Sequence, residues 1–182
     1  MESFRLDLTK ASDVVAEFVE VYSRRPILNN TGGMGFNHSF ATWFILREMA
    51  PNTVVESGVW KGHSTWLIEE ALPDADIYCL DLDFSRLEYK SDGARYVEAD
   101  FSEVDWSSID SRNTVAFFDD HQNFYERVKE LWWVGIRHAI FEDNFPVGEG
   151  DCYSLRHLLA DAGAPSLQMS AKSQGTKRQR RE

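Results

Sequence analysis

The stretch Val54–Ser64, which reads VVESGVWKGHS, passes from an apolar run into a loop that contains two glycines. The first residues of the stretch are β-branched, which favours a buried strand. Gly58 and Gly62 allow the backbone to turn sharply and to approach a ligand closely. A run with helical spacing begins at Ser64. The stretch therefore predicts a strand, a glycine loop and the start of a helix, where free backbone N–H groups can bind a ligand.

Four further apolar runs along the chain each end in acidic residues, as the first run does. The five runs are Val54–Glu56, Ile77–Asp81, Tyr96–Asp100, Val115–Asp120 and Ala139–Asp143. Short apolar runs that alternate with helical stretches are typical of buried parallel strands. The predicted fold class is therefore α/β, with a doubly wound, mostly parallel, Rossmann-like sheet and helices on both of its faces.

The acidic ends of these runs also predict where a ligand binds. In an open parallel sheet the carboxyl ends of the strands meet at one edge, and ligands bind there. A row of carboxylates at that edge is costly unless a positive or hydrogen-bond-donating group lies among them. We therefore expect a ligand with hydroxyl groups or positive charge, a metal ion, or both.

The sequence divides into three segments by composition and pattern. Residues 1–50 predict a helical segment packed on the core, with helices from about Ser12 and from Phe40 to Met49, the second capped by Ser39. Residues 51–165 predict the α/β domain, with about five strands, which is a core shortened at its C-terminal end. Residues 166–182 predict a disordered basic tail, because they are polar and lack periodicity.

Composition excludes some classes of function. The formal net charge is -11 over 182 residues, so we expect no nucleic-acid binding by the folded body. No apolar stretch is long enough to cross a bilayer, and the first residues do not predict a secretory signal. Two cysteines with no required disulfide favour a reducing, cytoplasmic compartment, although the basic run Lys177–Arg181 leaves a nuclear address open. A homodimer also stays open.

The spacing acid-x-Gly-x-x-x-Gly-x-Ser in the first stretch resembles motif I of class I S-adenosylmethionine-dependent methyltransferases. The resemblance implies a methyltransferase core in which this loop holds the methionine part of S-adenosylmethionine. It further implies that an acid after the second strand binds the ribose and an acid after the third binds the adenine amino group. The cofactor residues expected on this basis are Glu56, Gly58, Trp60, Gly62, Ser64, Asp81 and Asp100.

Two of these acids have other interpretations. Asp81-Leu82-Asp83 also fits the metal-binding Asp-x-Asp of a nucleotide-sugar glycosyltransferase, although the upstream glycine loop would then have no role. Asp83 itself is typical of a turn residue or a helix cap. Asp100 fits a loop acid that caps a short helix about as well as it fits an adenine ligand. These alternatives stay open at the level of sequence.

The ends of the fourth and fifth runs predict a metal site. Asp120 ends the fourth run, and Asp143 and Asn144 end the fifth. Carboxylate and amide oxygens are hard ligands that suit Mg²⁺ or a similar divalent cation. The pattern resembles the metal-dependent O-methyltransferases of the catechol and caffeoyl-CoA type, and the cephalosporin hydroxylase and macrocin O-methyltransferase families. That resemblance implies metal-assisted O-methylation of a small hydroxylated substrate, with Asp120 in a catalytic role.

One residue departs from the catechol-type pattern. Those enzymes carry a lysine base three residues after the first metal-binding aspartate, and this chain has Asn123, which cannot accept a proton at neutral pH. His121 is the expected replacement, with His63 as a second candidate, because imidazole titrates near neutral pH. The departure also leaves open a non-catalytic or truncated relative that binds the cofactor without turnover.

Overall fold

The computed structural model describes residues 6–163 and contains one sheet of five parallel strands. The strands are β1 (Thr53–Ser57), β2 (Asp76–Asp81), β3 (Arg95–Glu98), β4 (Thr114–Phe118) and β5 (His138–Phe141), in the spatial order β3-β2-β1-β4-β5. The predicted doubly wound parallel sheet is confirmed. The predicted basic tail, including the run Lys177–Arg181, lies outside the described residues.

Between residues 6 and 163, five α-helices accompany the sheet. They are α1 (Ala11–Ser23), α2 (Phe36–Met49), α3 (His63–Ala71), α4 (Phe124–Val134) and α5 (Leu155–Asp161), with short 3-10 helices at Leu8–Lys10, Phe101–Glu103 and Ser111–Asn113. Within the described part of the chain, none of the helices combines the length and apolarity that a membrane crossing requires.

The two faces of the sheet belong to different hydrophobic clusters, because successive side chains of a strand point to opposite faces. In β4, Val115 and Phe117 pack in the cluster that contains α1, α2 and α3 side chains. Ala116 and Phe118 pack in the other cluster, together with Leu131 of α4. Both faces of the central strands are therefore buried, as a parallel sheet requires.

The second helix begins four residues earlier than predicted. Gly35 has an extended backbone and precedes α2, and the Ser39 N–H donates to the Gly35 carbonyl at 2.9 Å. Ser39 is therefore inside the helix rather than at its cap, and its side chain is fully buried beside His63. The prediction of Ser39 as the cap was wrong because a glycine with extended backbone can also start a helix, and no side-chain signal marks it.

The helical spacing of Phe124, Val128, Leu131 and Trp132 predicts that these residues form the buried face of α4, and the structure differs from this prediction. Phe124 and Leu131 are buried as expected, but Trp132 is 69% exposed and Val128 is 39% exposed. Arg127, 3% exposed, takes the third buried position of the face. Hydropathy could not predict this choice, because the arginine is buried by its acidic partners rather than by apolar contact alone.

The crevice of the fold lies between β1 and β4, where the strand order changes direction. Gly58 follows β1 with φ +91°, and a Cβ built on it would lie 2.3 Å from the carbonyl oxygen of Asp119, which follows β4. Glycine is therefore required at position 58 for two reasons, the positive backbone angle and the close approach of the two loops.

We expect Gly58→Ala to destabilise the protein by at least about 2 kcal/mol, because the left-handed backbone costs roughly 1–2 kcal/mol and the clash adds to it. Gly148→Ala is the matched control, since Gly148 also has a positive φ (+85°) but has open space around its Cβ position. Urea denaturation of both variants tests this expectation, and equal losses of stability would contradict it.

Candidate cofactor and metal site

A pocket of about 450 Å³ opens at the carboxyl ends of β1, β2 and β4. Its wall includes Gly33, Ser57, Gly58, Trp60, Asp81, Arg86, Asp100, Asp119, Asp120 and His121. Ligand pockets of small-molecule size are typically about 300–1,000 Å³ and lie at the switch point of an open α/β sheet. The position and the size of this cavity therefore agree with the edge that the sequence predicted for ligand binding.

The glycine loop forms one side of the pocket. Gly58 and Trp60 line the pocket, and the backbone of Trp60 has a positive φ of 47°. Gly62 caps α3 with φ +90°, and a Cβ there would lie 2.3 Å from the Tyr89 carbonyl oxygen. Gly62 and the buried Ser64 support the loop from behind and are not part of the pocket wall.

Asp81 ends β2 and holds the glycine loop in place. Its Oδ2 accepts hydrogen bonds from the backbone N–H groups of Val59 and Trp60, at 2.8 and 2.9 Å. Its Oδ1 accepts from the Asp83 N–H at 3.1 Å. Because a carboxylate oxygen can accept two hydrogen bonds, Oδ1 keeps capacity for a ligand hydroxyl in the pocket. The ribose role predicted for Asp81 stays a prediction, and its role in ordering the loop is an additional finding.

Glu56 lies beneath the pocket and not in its wall. Its side chain is fully buried and accepts hydrogen bonds from Thr65 Oγ1 at 2.6 Å and from Cys79 Sγ at 3.3 Å. Burial raises the pKa of Glu56 to about 6, against the opposing effect of the neighbouring hydroxyls. Its Oε1 has no hydrogen-bond partner among the described residues. Glu56 therefore joins β1 to α3 and β2 as a buried, easily protonated acid.

Arg127 neutralises two of the acids that were predicted to face ligands. Its guanidinium pairs with Asp100 at 2.5 Å and with Asp120 at 2.8 Å. Asp120 also accepts a 2.7 Å hydrogen bond from Ser57 Oγ. Asp100 in turn caps the 3-10 helix Phe101–Glu103, as one of its two interpretations proposed. The hydrogen bonds from Arg127 and Ser102 hold the pKa of Asp100 well below its usual range.

A second group of acids lies beside the pocket and has no arginine or lysine partner among the described residues. Ligand atoms of Asp119, His121 and Asp143 lie within 4.8 Å of one another. Burial raises the pKa of Asp119, and the charges of Glu142 and Asp143 raise it further. Burial also raises the pKa of Asp143. Carboxylates in this arrangement favour a proton or a cation between them.

Asp143 carries the clearest sign of a cation site. Its Oδ2 is buried and accepts no hydrogen bond among the described residues, although His121 Nε2 lies 3.3 Å away. A buried carboxylate oxygen without a donor is costly. A divalent cation among Asp119, His121 and Asp143 would satisfy this oxygen and offset the repulsion between the two carboxylates. These residues fit such an ion.

His121 is held between two acids. Its Nδ1 lies 2.9 Å from Asp151 Oδ1, its Nε2 faces Asp143, and its φ is 52°. Burial lowers the pKa of His121, but the hydrogen bond to Asp151 and the nearby carboxylates outweigh burial and raise it. Both ring nitrogens therefore face carboxylates, which suits a cation ligand or an ion-pair partner better than the predicted role of proton acceptor.

Two asparagines from the sequence analysis have structural partners. Asn123 caps α4 by accepting from the N–H groups of Tyr125 and Glu126, which explains an asparagine where catechol-type enzymes have lysine. Asn144 Oδ1 accepts from the Arg156 N–H at 3.1 Å. The contacts of Asn144 and Asp120 thus count against both as metal ligands, while Asp143 keeps that predicted role.

Four site residues were not singled out from the sequence as part of the site. They are Ser57, Asp119, Arg127 and Glu142. Asp119 and Glu142 each stand immediately before a residue that was singled out, and the alternation of strand side chains was the available signal. Arg127 carried no signal, because its position in α4 suggests an exposed arginine on an amphipathic helix.

Solved structures of other proteins resemble this chain. CmcI with SAH matches with a TM-score of 0.53 and 18% sequence identity, over 65% of this chain and 66% of the other. The SAH-bound Podospora anserina methyltransferase PaMTH1 matches with a TM-score of 0.51 and 16% identity, over 79% and 74%. No protein-family model matches the sequence, and no curated protein does. At these identities the likeness establishes the fold, which is the predicted Rossmann-like methyltransferase fold.

The aligned part of this chain spans just under two thirds of the CmcI chain. The five parallel strands and the crevice at the switch point belong to the described part of this chain.

The buried carboxyl of Glu56 gives an expected pH dependence of stability. Its folded pKa, about 6, exceeds its ordinary value of 4.5, so the folded protein retains a proton that the unfolded chain has lost. Relative to Glu56→Gln, the wild type should therefore lose about 2 kcal/mol of stability as the pH rises through that interval. Urea denaturation of both proteins between pH 4 and pH 7.5 measures this, and a constant difference would contradict it.

Proposed function

We propose that this protein is an S-adenosylmethionine-dependent methyltransferase that uses a divalent cation to O-methylate a small hydroxylated molecule. The observation that carries the proposal is the position of the pocket. It lies between a glycine loop ordered by Asp81 and an acid group at Asp119 and Asp143. Among the described residues, no arginine or lysine pairs with that acid group.

The cofactor part of the proposal is supported by the shape and chemistry of the pocket. Its volume suits a nucleoside-sized ligand, and Asp81 Oδ1 is available to a ribose hydroxyl. Trp60 offers an aromatic surface at the same wall. The sulfonium of S-adenosylmethionine is positive, and an acidic strand edge favours it electrostatically. Both structures with this fold described above are complexes with SAH.

The cation part of the proposal assigns Asp119, His121 and Asp143 as ligands. Asp143 Oδ2 lacks a donor, and burial raises the pKa of both carboxylates, so an ion such as Mg²⁺ or Mn²⁺ would stabilise the group. When bound, such an ion would acidify a substrate hydroxyl and orient it. Asp120 is better described as a positioning residue, because Ser57 and Arg127 hold its carboxylate.

Positioning is the main catalytic contribution that the pocket can make. Methyl transfer is an in-line displacement, and well-oriented intramolecular reactions reach effective molarities on the order of 10⁵ M or more. Ser57, Gly58 and Asp119 all belong to the wall of the same cavity, and the glycine loop approaches Asp119 closely there. A sulfonium held by the loop and a hydroxyl held by the acid group would meet at that point.

The two alternative functions differ in support. A glycosyltransferase would need Asp81 and Asp83 to bind a metal, but both Asp83 oxygens bond to Ser85, and Asp81 orders the glycine loop. These contacts disfavour the glycosyltransferase. A relative that binds the cofactor without turnover would share the pocket, and Asn123, which caps α4 instead of supplying a lysine base, is the observation in its favour.

The remaining proposals concern compartment and partners. Cys79 and Cys152 are both free thiols, which fits a reducing compartment, and we propose the cytoplasm. The partner we propose is a small hydroxylated molecule and not a nucleic acid or a membrane, since the formal net charge is -11. No contact in the described chain bears on a homodimer, which stays a prediction.

We expect SAH to bind the wild type and Asp81→Asn to weaken that binding about tenfold or more, because a hydrogen bond to a charged acceptor contributes about 1.5–3 kcal/mol. Isothermal titration calorimetry on the folded variant measures this. Asp105→Asn is the control, since Asp105 is an exposed acid outside the pocket that, like Asp81, accepts from the backbone N–H two residues further on.

Two results would contradict the assignment. One is an SAH affinity that is the same in the Asp81→Asn and Asp105→Asn variants. The other is binding of UDP-glucose by a wild-type protein that does not bind SAH, which would select the glycosyltransferase instead.

A further inference from the structure

A substrate whose hydroxyl accepts the methyl group needs a base that removes the hydroxyl proton. The chain has five histidines that are candidates for this base. His63 is 4% exposed, and burial followed by the charge of Arg25 lowers its pKa to about 4. His121 has both ring nitrogens against carboxylates. Neither histidine has a nitrogen that is both basic and open to a substrate.

Two further histidines are placed away from the site. His157 uses Nδ1 with Ser154 and accepts from the Gly148 N–H through Nε2, in the turn that starts α5. His138 is the first residue of β5, so it lies at the opposite edge of the sheet from the pocket. The remaining histidine, His38, contacts a carboxylate through one ring nitrogen only.

His38 lies in the first turn of α2, directly after the loop in which Gly32 and Gly33 line the pocket. Its Nδ1 is 2.5 Å from Glu142 Oε1, across 104 positions of sequence. The side chain of His38 is 65% exposed, whereas that of Glu142 is 11% exposed. A largely buried carboxylate thus holds an imidazole that is mostly exposed.

The contact with Glu142 determines what the imidazole can do. A carboxylate at Nδ1 favours the tautomer with its proton on that nitrogen, which leaves a lone pair on Nε2. Among the residues that the structure describes, Nε2 forms no hydrogen bond. The carboxylate also stabilises the imidazolium once Nε2 has accepted a proton, as in other oriented histidine bases.

Glu142 also connects His38 to the acid group. It stands immediately before Asp143, and its charge contributes to the raised pKa values of Asp119 and Asp143. Glu142, which follows β5, therefore contacts His38 through its carboxylate and is the neighbour in sequence of a proposed cation ligand. A hydroxyl oriented by the acid group would be within reach of this imidazole under the proposal below.

We propose that His38 is the general base of methyl transfer and that Glu142 is its positioning residue. This inference rests on the proposed function. In the step, the substrate O–H bond breaks and its proton passes to His38 Nε2, while an oxygen lone pair forms the new bond to the methyl carbon. The methyl–sulfur bond breaks, and its electron pair remains on the sulfur of S-adenosylhomocysteine. The exposed imidazolium then releases its proton to water.

The first test needs no acceptor. Long-range ¹H–¹⁵N NMR on the whole chain at pH 8 distinguishes a protonated ring nitrogen from an unprotonated one, and His38→Gln assigns the signals. We expect His38 in the Nδ1–H form, with Glu142→Gln shifting it towards the other tautomer. An Nε2–H tautomer in the wild type, or a tautomer that Glu142→Gln leaves unchanged, would overturn the inference.

The second test compares two acceptors of different acidity, catechol and 4-nitrocatechol, with S-adenosylmethionine and Mg²⁺. A base is needed less for the more acidic phenol. We therefore expect His38→Gln to lower kcat by about 10²-fold or more with catechol and by much less with 4-nitrocatechol, at little change in KM. Asn37→Gln, at an exposed position in the same turn, is the control and should leave both rates unchanged.

The two tests separate failure of the inference from failure of the proposed function. Equal losses of kcat with both phenols, or no loss, would show that His38 acts through structure or not at all, and would overturn the inference. If the wild type binds SAH but methylates neither phenol, the proposed acceptor class is wrong, and the tautomer measurement decides the state of His38. Absence of SAH binding would reject the proposed function itself.

Discussion

The ion pairs of Arg127 are the interaction on which the acidic edge of this sheet depends. A guanidinium that is 3% exposed joins the end of β3 through Asp100, the end of β4 through Asp120, and its own helix through Glu130. Its guanidinium carbon, Cζ, also lies 5.9 and 5.5 Å from the ring centroids of Phe101 and Phe118. Removing one partner of such a buried group typically costs about 3–5 kcal/mol, because the other charges remain without compensation.

This arrangement divides the acids into two groups. Asp120 turns towards Arg127 and Ser57, whereas the preceding residue, Asp119, turns towards Asp143. The first group is neutralised within the protein and serves the structure. The second group has His121 as its nearest positive partner. The raised pKa values of Asp119 and Asp143 show that two negative charges are unfavourable there. A divalent cation would therefore bind the second group, because Arg127 already neutralises the first.

Much of this architecture could be predicted from the sequence, and the reasons are local. The five strands, the glycine loop and the edge at which the acids gather follow from short-range periodicity and from the rule that parallel strands present their carboxyl ends together. Which of Asp119 and Asp120 faces the proposed cation site could not be predicted, because the choice depends on the burial of Arg127. The contact between His38 and Glu142 spans 104 positions and likewise has no local signal.

Asp119 and Asp143 form the proposed cation site beside the pocket. The most direct measurement is a titration of Mn²⁺ into the protein, followed by the EPR signal of the free ion, in the wild type and in Asp119→Asn, Asp143→Asn and Asp105→Asn. The account predicts one bound Mn²⁺ per chain in the wild type and in Asp105→Asn, and affinity weakened about tenfold or more in the other two variants. Mn²⁺ that stays free in the wild type, or binds all four proteins equally, would contradict it.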